Sequence, residues 1–523
     1  MPIVGIVGLG AVGSAVLHGM SRYYPCVGYD QQGDHDWSHI TASNIVLICT
    51  PTPLGSDRRL DCTSVESVLT LLSKSAFNGP VVVKSTVRVG FMEGAAASHP
   101  RLRLVYMPEF LRERSRYSWF LKPDRLLLSG RQDDVREVLD YFSWAKGAAI
   151  FRTSFRDAEV AKLAHNAFIA TKVSFTNEVE VIAREAGADP STVMSVVAAD
   201  RRVLSDAHLR PGLGRYGGKC VPKDTEELAR ANGTPSSFMA AVLDGKAGPG
   251  TLPQPDRGPR VVVILPTRNR SEKLTRALTS IAAQIHPPDL VMVVSDSEGA
   301  EEARTSSTVM KLADRLPIRL LANTHTRNLS GAINTGLDVV HRDNFAPPST
   351  FVAFLDDDDW WEPRYLDNAL TFAEEMDADW VVPGLVRHEQ GRRGIPMPIP
   401  TSLAAEDFLT GNPNVQGSNL FVRFARLVQA GGFDEALPST TDRDICIRLL
   451  RVPGIRYEIL RNYLVHHDAS ADPSRLSARG SPQKRAGLLA FYAKYVSEMT
   501  EEQRQQFRER ARTFFAVEIP ASA

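Results

Sequence analysis

The sequence predicts two α/β modules in series, and three features point there. Through residues 1–150, short β-branched runs alternate with helical patterns, as a parallel βα sheet requires. A second series of the same kind opens at Arg260-Val-Val-Val-Ile-Leu-Pro266. Between them, around Asn232–Pro259, the composition turns to Gly, Pro, Ser and Asp, including Gly248-Pro-Gly-Thr-Leu-Pro-Gln-Pro255, which reads as a linker. The expected division is a sheet domain over 1–150, a helical domain over 151–232, a linker over 233–259, a second α/β domain over 260–470 and a helical extension over 471–523.

Composition agrees and excludes several classes. A chain of 523 residues is too long for a single core. Its 61 Lys and Arg balance its 61 Asp and Glu, so no broad pull toward nucleic acid or anionic membrane is expected. The five cysteines (Cys26, Cys49, Cys62, Cys220 and Cys446) are an odd number without CxxC spacing, which argues against a disulfide framework or zinc site and for a reducing compartment. Met1-Pro-Ile-Val-Gly5 runs directly into a strand, leaving no room for a signal peptide. Apolar runs such as Val261–Leu265 are strand-length, far short of a membrane span. The expectation is a soluble, cytoplasmic protein.

Taken in order, Val4–Val7 is an apolar strand that enters Gly8-Leu-Gly-Ala-Val-Gly13, a GxGxxG turn into a helix. Gly8 allows the tight turn, Gly10 lets backbone approach a pyrophosphate and Gly13 lets the helix pack on the sheet, with Val12 in the same turn. Asp30 ends the next strand, where a carboxylate would hold the adenosine ribose. Gln31 and Gln32 follow instead of Arg, which favours NAD over NADP. Asn44–Pro53 is a buried strand ending in a Thr/Pro turn with Thr50 and Pro51, and Val81–Thr86 is another.

Met107-Pro-Glu-Phe-Leu-Arg-Glu113 follows. From Asp157 to about Gly187, Val160, Leu163, Ala164, Ala167, Phe168 and Thr171 recur at three- and four-residue spacing. This predicts a helix of about thirty residues, roughly 45 Å long, suited to forming a homodimer through residues 157–187. In the second module Leu290–Asp296 and Thr350–Leu355 are strands, while Glu501–Arg512 reads as a charged helix with a solvated face.

Gly212-Leu-Gly-Arg-Tyr-Gly-Gly-Lys-Cys-Val-Pro-Lys-Asp224 delivers a cysteine to the start of a helix. Lys219, Lys223 and the helix N-terminus all favour the thiolate of Cys220. Together these ordered motifs, over residues 3–225, resemble the UDP-glucose/GDP-mannose dehydrogenase family. The resemblance implies a Rossmann-type NAD domain that includes Thr86 and two successive oxidations of a nucleotide-sugar alcohol to an acid. Cys220 matches the nucleophile that carries a thioester. Lys162 and Asn166, on one helix face, match the pair that supports the oxyanion. Asp224, Thr86, Glu109 and Glu113 match the polar set that orients water and moves protons.

The chain departs from that family in two places. Only Gln31–Ser43 separate Asp30 from the next strand, where the family has a longer segment. The 36 residues of Thr225–Arg260 are too few for the family's further nucleotide-gripping domain, since a domain needs about 50.

Residues 260–470 resemble the GT-A glycosyltransferases of the inverting family 2. Pro266-Thr-Arg-Asn-Arg270 matches the loop after the first strand, with Pro266, Thr267, Asn269 and Arg270 on the donor. Asp296 matches the acid on the nucleotide base, and Asn334 lies on the helix start, Asn328–Gly336, beside the donor. In Phe354-Leu-Asp-Asp-Asp-Asp-Trp-Trp361, Asp356 and Asp358 fit a DxD pair for Mn²⁺ or Mg²⁺, with Asp357 and Asp359 as competitors; Asp356 and Asp357 also face the donor. Asp442 matches the base that deprotonates the acceptor, with Asp444 as the alternative, and His466 or His467 would complete the metal shell.

Combined, these resemblances imply a bifunctional nucleotide-sugar dehydrogenase and glycosyltransferase using a nucleotide-sugar donor, UDP-sugar favoured, and an unidentified hydroxyl acceptor. The alternatives are a transferase fused to a degenerate dehydrogenase scaffold, and a non-catalytic nucleotide-sugar sensor.

Overall fold

The computed structural model describes residues 1–31, 36–111, 115–200, 203, 221–230, 241–243, 260–343, 349–389, 393–470 and 480–520. It divides into two compact units, Met1–Asp256 and Arg257–Ala523. Among the described residues, no helix is long and apolar enough to cross a membrane.

The first unit is a seven-stranded sheet in the order β2-β1-β3-β4-β5-β6-β7. Its strands are β1 (Val4–Val7), β2 (Cys26–Tyr29), β3 (Ile45–Ile48), β4 (Pro80–Val83), β5 (Arg103–Tyr106), β6 (Arg125–Gly130) and β7 (Ala149–Arg152). β1, β3 and β4 are buried along their whole length, which explains why they read as continuous apolar runs and not as alternating ones. Helices α1 (Ala11–Met20), α2 (Trp37–Thr41), α3 (Thr63–Lys74), α4 (Phe91–Ser98), α5 (Arg116–Leu121) and α6 (Gln132–Tyr141) alternate with the strands. The pairing is parallel except between β5 and β6, where the chain reverses. The expected boundary at residue 150 falls inside β7.

The long helical pattern becomes α7 (Phe155–Glu185), 31 residues capped by Ser154, whose side chain accepts from Asp157 N. Then come α8 (Pro190–Ala198) and α9 (Val221–Arg230). α9 packs along α7, carrying Asp224, Thr225, Glu226 and Glu227 into buried positions.

The second unit holds a nine-stranded mixed sheet. β8 (Arg260–Thr267), β9 (Leu290–Ser295), β10 (Ile318–Ala322) and β11 (Thr350–Phe354) form its parallel half. β15 (Phe421–Arg423) runs antiparallel between β11 and β13 (Trp380–His388). β16 (Tyr457–Asp468) pairs with β13 in parallel and with β12 (Trp360–Trp361) in antiparallel, and β14 (Ile395–Pro396) pairs with β13. The helices are α10 (Ser271–Ala282), α11 (Ala300–Met310), α12 (Leu329–Arg342), α13 (Tyr365–Glu375), α14 (Ala405–Thr410), α15 (Phe424–Gln429), α16 (Thr441–Leu450), α17 (Pro482–Tyr495) and α18 (Glu501–Phe515).

The C-terminal helices also contribute to the core. α18 does present a charged face to solvent, but its other face and α17 insert Leu488, Phe491, Tyr492, Tyr495, Phe507 and Ala511 into the main core of this unit. Sparse apolar residues at helical spacing suffice to seat a helix whose average composition is highly polar.

Candidate active sites

In the first unit, the site begins where β1 meets α1. Gly8 has φ +87°, and a Cβ there would lie 2.8 Å from Thr50 N. At Gly13 a Cβ would come within 1.8 Å of Gly8 O, so only glycine permits this tight turn. Gly10 is the N-cap of α1 and Val12 lies in its first turn. Asp30 accepts from Leu9 N at 2.9 Å, joining the end of β2 to the glycine turn. Thr50 Oγ1 is buried there without a hydrogen-bond partner, and Pro51 beside it is exposed. A turn closed to any side chain, an acid on its rim and an orphan hydroxyl fit a dinucleotide's pyrophosphate and ribose. Thr52 Oγ1 donates to Thr86 O at 2.6 Å and Ser85 Oγ to Thr50 O at 2.6 Å, locking the ends of β3 and β4 together.

The second cluster joins α7 to α9. Asn166 Nδ2 donates to Asp224 Oδ2 at 2.5 Å, and Lys223 Nζ lies 2.6 Å from Asp224 Oδ1. Lys162, one turn before Asn166, is buried with its ammonium 5.2 Å from the centre of the Phe110 ring. Glu109, next to Phe110, forms an ion pair with Lys84, whose ammonium also donates to Met107 O at 3.3 Å. Burial lowers Lys84 to about 8. Lys84 therefore joins the set, although nothing in the sequence separated it from an ordinary strand-end lysine. Cys220, Glu113 and the glycine-rich stretch from Gly212 lie outside the described residues; α9 starts at the residue after Cys220.

In the second unit the four aspartates follow β11. Asp356 keeps part of its surface accessible, while Asp357, Asp358 and Asp359 are buried. Burial, then the charges of Asp359, Asp358, Asp357 and Asp442, push Asp356 well above the usual carboxylate range. Asp357 is raised to about 6 by burial, partly offset by Arg270; it accepts from Thr267 Oγ1 at 2.8 Å. Arg270 Nη1 lies 3.2 Å from both Asp357 Oδ1 and Asp358 Oδ2. Asp359 is held below the usual range despite burial, because His467, Ser418 Oγ (2.6 Å) and Asp468 N (3.0 Å) all serve it. Ser418 Oγ also accepts from Asp356 N at 3.1 Å, a link that no motif announced.

Other expected residues are arranged as follows. Pro266 lies within β8, opposite Val294. Asn269 has φ +55°, and its N donates to Ser297 Oγ at 2.9 Å. Asp296 accepts from Asn323 Nδ2 at 2.9 Å. Asn334 Nδ2 donates to Phe433 O and Glu435 Oε1, each at 2.8 Å, which ties α12 to the 433–435 turn. Asp442 accepts from Asn412 Nδ2 at 2.8 Å and is half-buried at the start of α16. Asp444 is fully buried and engaged by Arg448, Lys494 and Tyr495.

His466 bonds Glu362 (2.7 Å) and His388 (2.8 Å), whereas His467 is the imidazole that reaches Asp359, at 3.1 Å. Among the described residues no three His, Cys, Asp or Glu side chains converge as a metal cage. The aspartate loop instead offers one or two carboxylates crowded by like charge, which fits a Mg²⁺ or Mn²⁺ ion that takes its remaining ligands from diphosphate and water.

Residues 30–143 match the NAD binding domain of the UDP-glucose/GDP-mannose dehydrogenase family, residues 156–244 its central domain, and residues 262–429 the glycosyl transferase family 2. The UDP-glucose 6-dehydrogenase of Streptococcus pneumoniae is 31% identical over 208 residues, covering 38% of this chain and 52% of its own length. The GDP-mannose 6-dehydrogenase of Pseudomonas putida is 28% identical over 294 residues, covering 53% of this chain and 61% of its own. A crystal structure of S. aureus TarS 1–349 in complex with UDP-GlcNAc is 21% identical, covering 49% of this chain and 73% of that one, with a TM-score of 0.38. The chain spans about half the length of the curated dehydrogenases it matches.

Proposed function

We propose that a chain joining the NAD-binding and central domains of the UDP-glucose/GDP-mannose dehydrogenase family to a glycosyl transferase family 2 domain is a bifunctional enzyme. One module oxidises a nucleotide-sugar alcohol to the acid, and the other transfers a sugar from a nucleotide-sugar donor with inversion. The observation that carries the reading is the Asn166–Asp224 hydrogen bond, which unites two of the family's catalytic positions 58 residues apart, one of them four residues after Cys220 in the sequence.

In the first module Gly8, Gly10, Val12, Gly13, Asp30, Thr50, Pro51 and Thr86 would hold NAD, which accepts the hydride in each oxidation. Cys220 attacks the aldehyde produced first, and Lys162 with Asn166 stabilises the oxyanion of the resulting thiohemiacetal. A second oxidation leaves a thioester on Cys220. Asp224, held by Asn166 and Lys223, orients the water that hydrolyses it, with Thr86, Glu109 and Glu113 relaying protons.

In the second module Pro266, Thr267, Asn269, Arg270, Asp296 and Asn334 line the donor site. Asp356 and Asp358, with His466, would hold the divalent cation that offsets leaving-group charge. His467, which contacts Asp359, is the alternative imidazole. Asp442 takes the proton of the acceptor hydroxyl. A second copy of the chain docks on α7, where Phe168, Phe175 and Ile182 are exposed at seven-residue intervals.

The test is a screen of nucleotide sugars with and without NAD, reading NADH by absorbance and products by mass spectrometry. Acid formation that ceases in Cys220→Ala, together with donor cleavage that continues in it, supports both halves. A Cys220→Ala variant that still makes the acid at the wild-type rate refutes the thioester mechanism.

A further inference from the structure

Three cations, Arg443, Lys484 and Arg510, gather near the start of α16, where Asp442 sits. Arg443 is buried, its guanidinium donating to Phe408 O and Leu409 O at 2.7 Å each, with the Phe491 ring 4.3 Å away. Lys484, in the first turn of α17, is only 8% exposed. Its ammonium lies 4.4 Å from the centre of the Phe515 ring and makes no hydrogen bond or ion pair with any described residue. Arg510 on α18 is partly buried, and its guanidinium, over Phe514 at 5.0 Å, is likewise without a hydrogen bond or ion pair among the described residues.

Asp442 is the carboxylate whose charge reaches Lys484 and Arg443, and it stands against three mutually repelling cations. Burial first, then repulsion from Arg443 and Arg510, lowers Lys484 to about 8. The helices cannot simply draw apart to hydrate these groups. A Cβ on Gly487 would lie 2.1 Å from Ser439 Oγ, and Thr440 Oγ1 donates to Gly487 O at 3.3 Å, so α17 is seated tightly on the turn that leads into α16. Buried charges in folded proteins are ordinarily paired, and a buried ammonium left without a partner is matched by an anion from outside.

We propose that Lys484 and Arg510 form an oxyanion-binding subsite that receives a phosphate or carboxylate group of the glycosyl acceptor while Asp442 takes the proton of its hydroxyl. Assigning the anion to the acceptor rests on Asp442 being the acceptor base; the subsite itself does not. In a displacement with inversion, base and departing diphosphate lie on opposite faces of the sugar. Cations gathered around the base through α17 and α18 therefore serve the acceptor, while Arg270 and Lys273 stand beside the aspartate loop.

Thermal unfolding of the full chain tests this at constant ionic strength in chloride. Wild type, Lys484→Met and Arg510→Gln are titrated with inorganic phosphate, glycerol 3-phosphate, glucuronate and UDP. Phosphate, glycerol 3-phosphate or glucuronate should raise the wild-type melting temperature saturably, by roughly 3 °C at ten times the dissociation constant. The shift should vanish in Lys484→Met and weaken in Arg510→Gln, and whichever probe acts identifies phosphate or carboxylate as the group recognised. An equal shift in wild type and Lys484→Met, no saturable shift at all, or a Lys484-dependent shift with UDP alone would each overturn the proposal. Acetylation of Lys484 in the wild type, read by mass spectrometry, gives an answer that does not depend on the variants folding. Phosphate should slow it several-fold, and protection by Asp442 alone, unchanged by added anion, would mark Lys484 as a counter-ion only. Since neither assay requires turnover, failure here is distinguishable from failure of the transferase reading.

Discussion

Arg59 and Glu227 stand 168 residues apart in sequence and meet in a two-pronged ion pair, with Arg59 Nη2 2.7 Å and Nε 3.0 Å from Glu227 Oε1. Leu60 N adds a third donor at 2.8 Å, and the adjacent pair, Arg58 with Glu226, repeats the link. Both glutamates belong to α9, so the loop after β3 grips the helix that begins one residue past Cys220. Breaking a buried pair by removing one partner costs on the order of 3–5 kcal/mol, and the partial exposure of Arg59 puts this one toward the lower end. Glu227→Gln should therefore lower the urea midpoint of the first unit and change the alkylation rate of Cys220 by iodoacetamide. A variant with normal Cys220 reactivity would show that the grip does not position the thiol.

Gly13→Ala should weaken NAD binding by more than about tenfold, a cost above 1.4 kcal/mol. The added methyl would meet Gly8 O at 1.8 Å, forcing open the turn on which the pyrophosphate rests. Isothermal titration with NAD decides it, and unchanged affinity would remove the glycine turn from the cofactor site.

The sequence carried much of this because side chains on one element keep fixed spacing. Lys162 and Asn166 could be paired from their four-residue interval, and α7 could be bounded to within two residues. The aspartate loop was legible because an apolar strand led into it. Arg59–Glu227, Asn412–Asp442 and the Ser418 bridge were not legible, since each joins elements whose meeting depends on the tertiary path and not on local periodicity. His466 and His467 could not be told apart in the sequence for a simpler reason. Adjacent strand residues point to opposite faces, and only the fold decides which face the aspartates occupy.

Glu435 gives the second unit a pH window. Its carboxylate accepts from Thr326 N at 3.0 Å and Asn334 Nδ2 at 2.8 Å, and lies 2.8 Å from His325 Nδ1. Burial would raise its pKa, but these hydrogen bonds outweigh that and lower it to about 2. For a depressed acid, the stabilisation is fully present above the ordinary value of 4.5 and is lost as pH falls through about 2. His325 is raised by Asp338 against the opposing effect of burial, so its contribution is full below 6.5 and fades as pH rises through its folded value. The tie should be strongest between these limits. Glu435→Gln should lower stability at pH 5.5 by about 1–3 kcal/mol and flatten the acid limb of the stability profile. An acid limb unchanged by the substitution would show that Glu435 is not the group responsible.

Phe168→Asp should dissociate a homodimer built on α7. Phe168 is 63% exposed, and Phe175 and Ile182 continue the same stripe. Burying one phenylalanine contributes about 1.5–3 kcal/mol, and two-fold symmetry counts it twice, so the dimer should weaken on the order of a hundredfold or more. Light scattering after gel filtration reads the mass directly. A wild-type chain that is monomeric at micromolar concentration would refute the dimer.

Asp442 and Asp444 lie two residues apart on α16, and their environments predict opposite phenotypes. Asp444 is fully buried, with Arg448 Nη2 and Lys494 Nζ each 2.6 Å away and Tyr495 Oη at 2.7 Å. It fastens α17 to α16, so Asp444→Asn should cost on the order of 3 kcal/mol by leaving buried cations unbalanced. Asp442 is half-buried, with Asn412 Nδ2 as a hydrogen-bond donor and its charge felt at Asp356. Asp442→Asn removes a base while keeping the shape and a hydrogen-bond acceptor, so transfer should fall by roughly 10²–10⁴ with stability little changed. Donor affinity should also hold, because the proposed donor site is built from the aspartate loop and Pro266–Arg270 and not from Asp442. Urea unfolding and single-turnover transfer, measured on both variants, separate the two roles. If Asp444→Asn were the inactive but stable one, the base would be Asp444 and the assignment of Asp442 would fall.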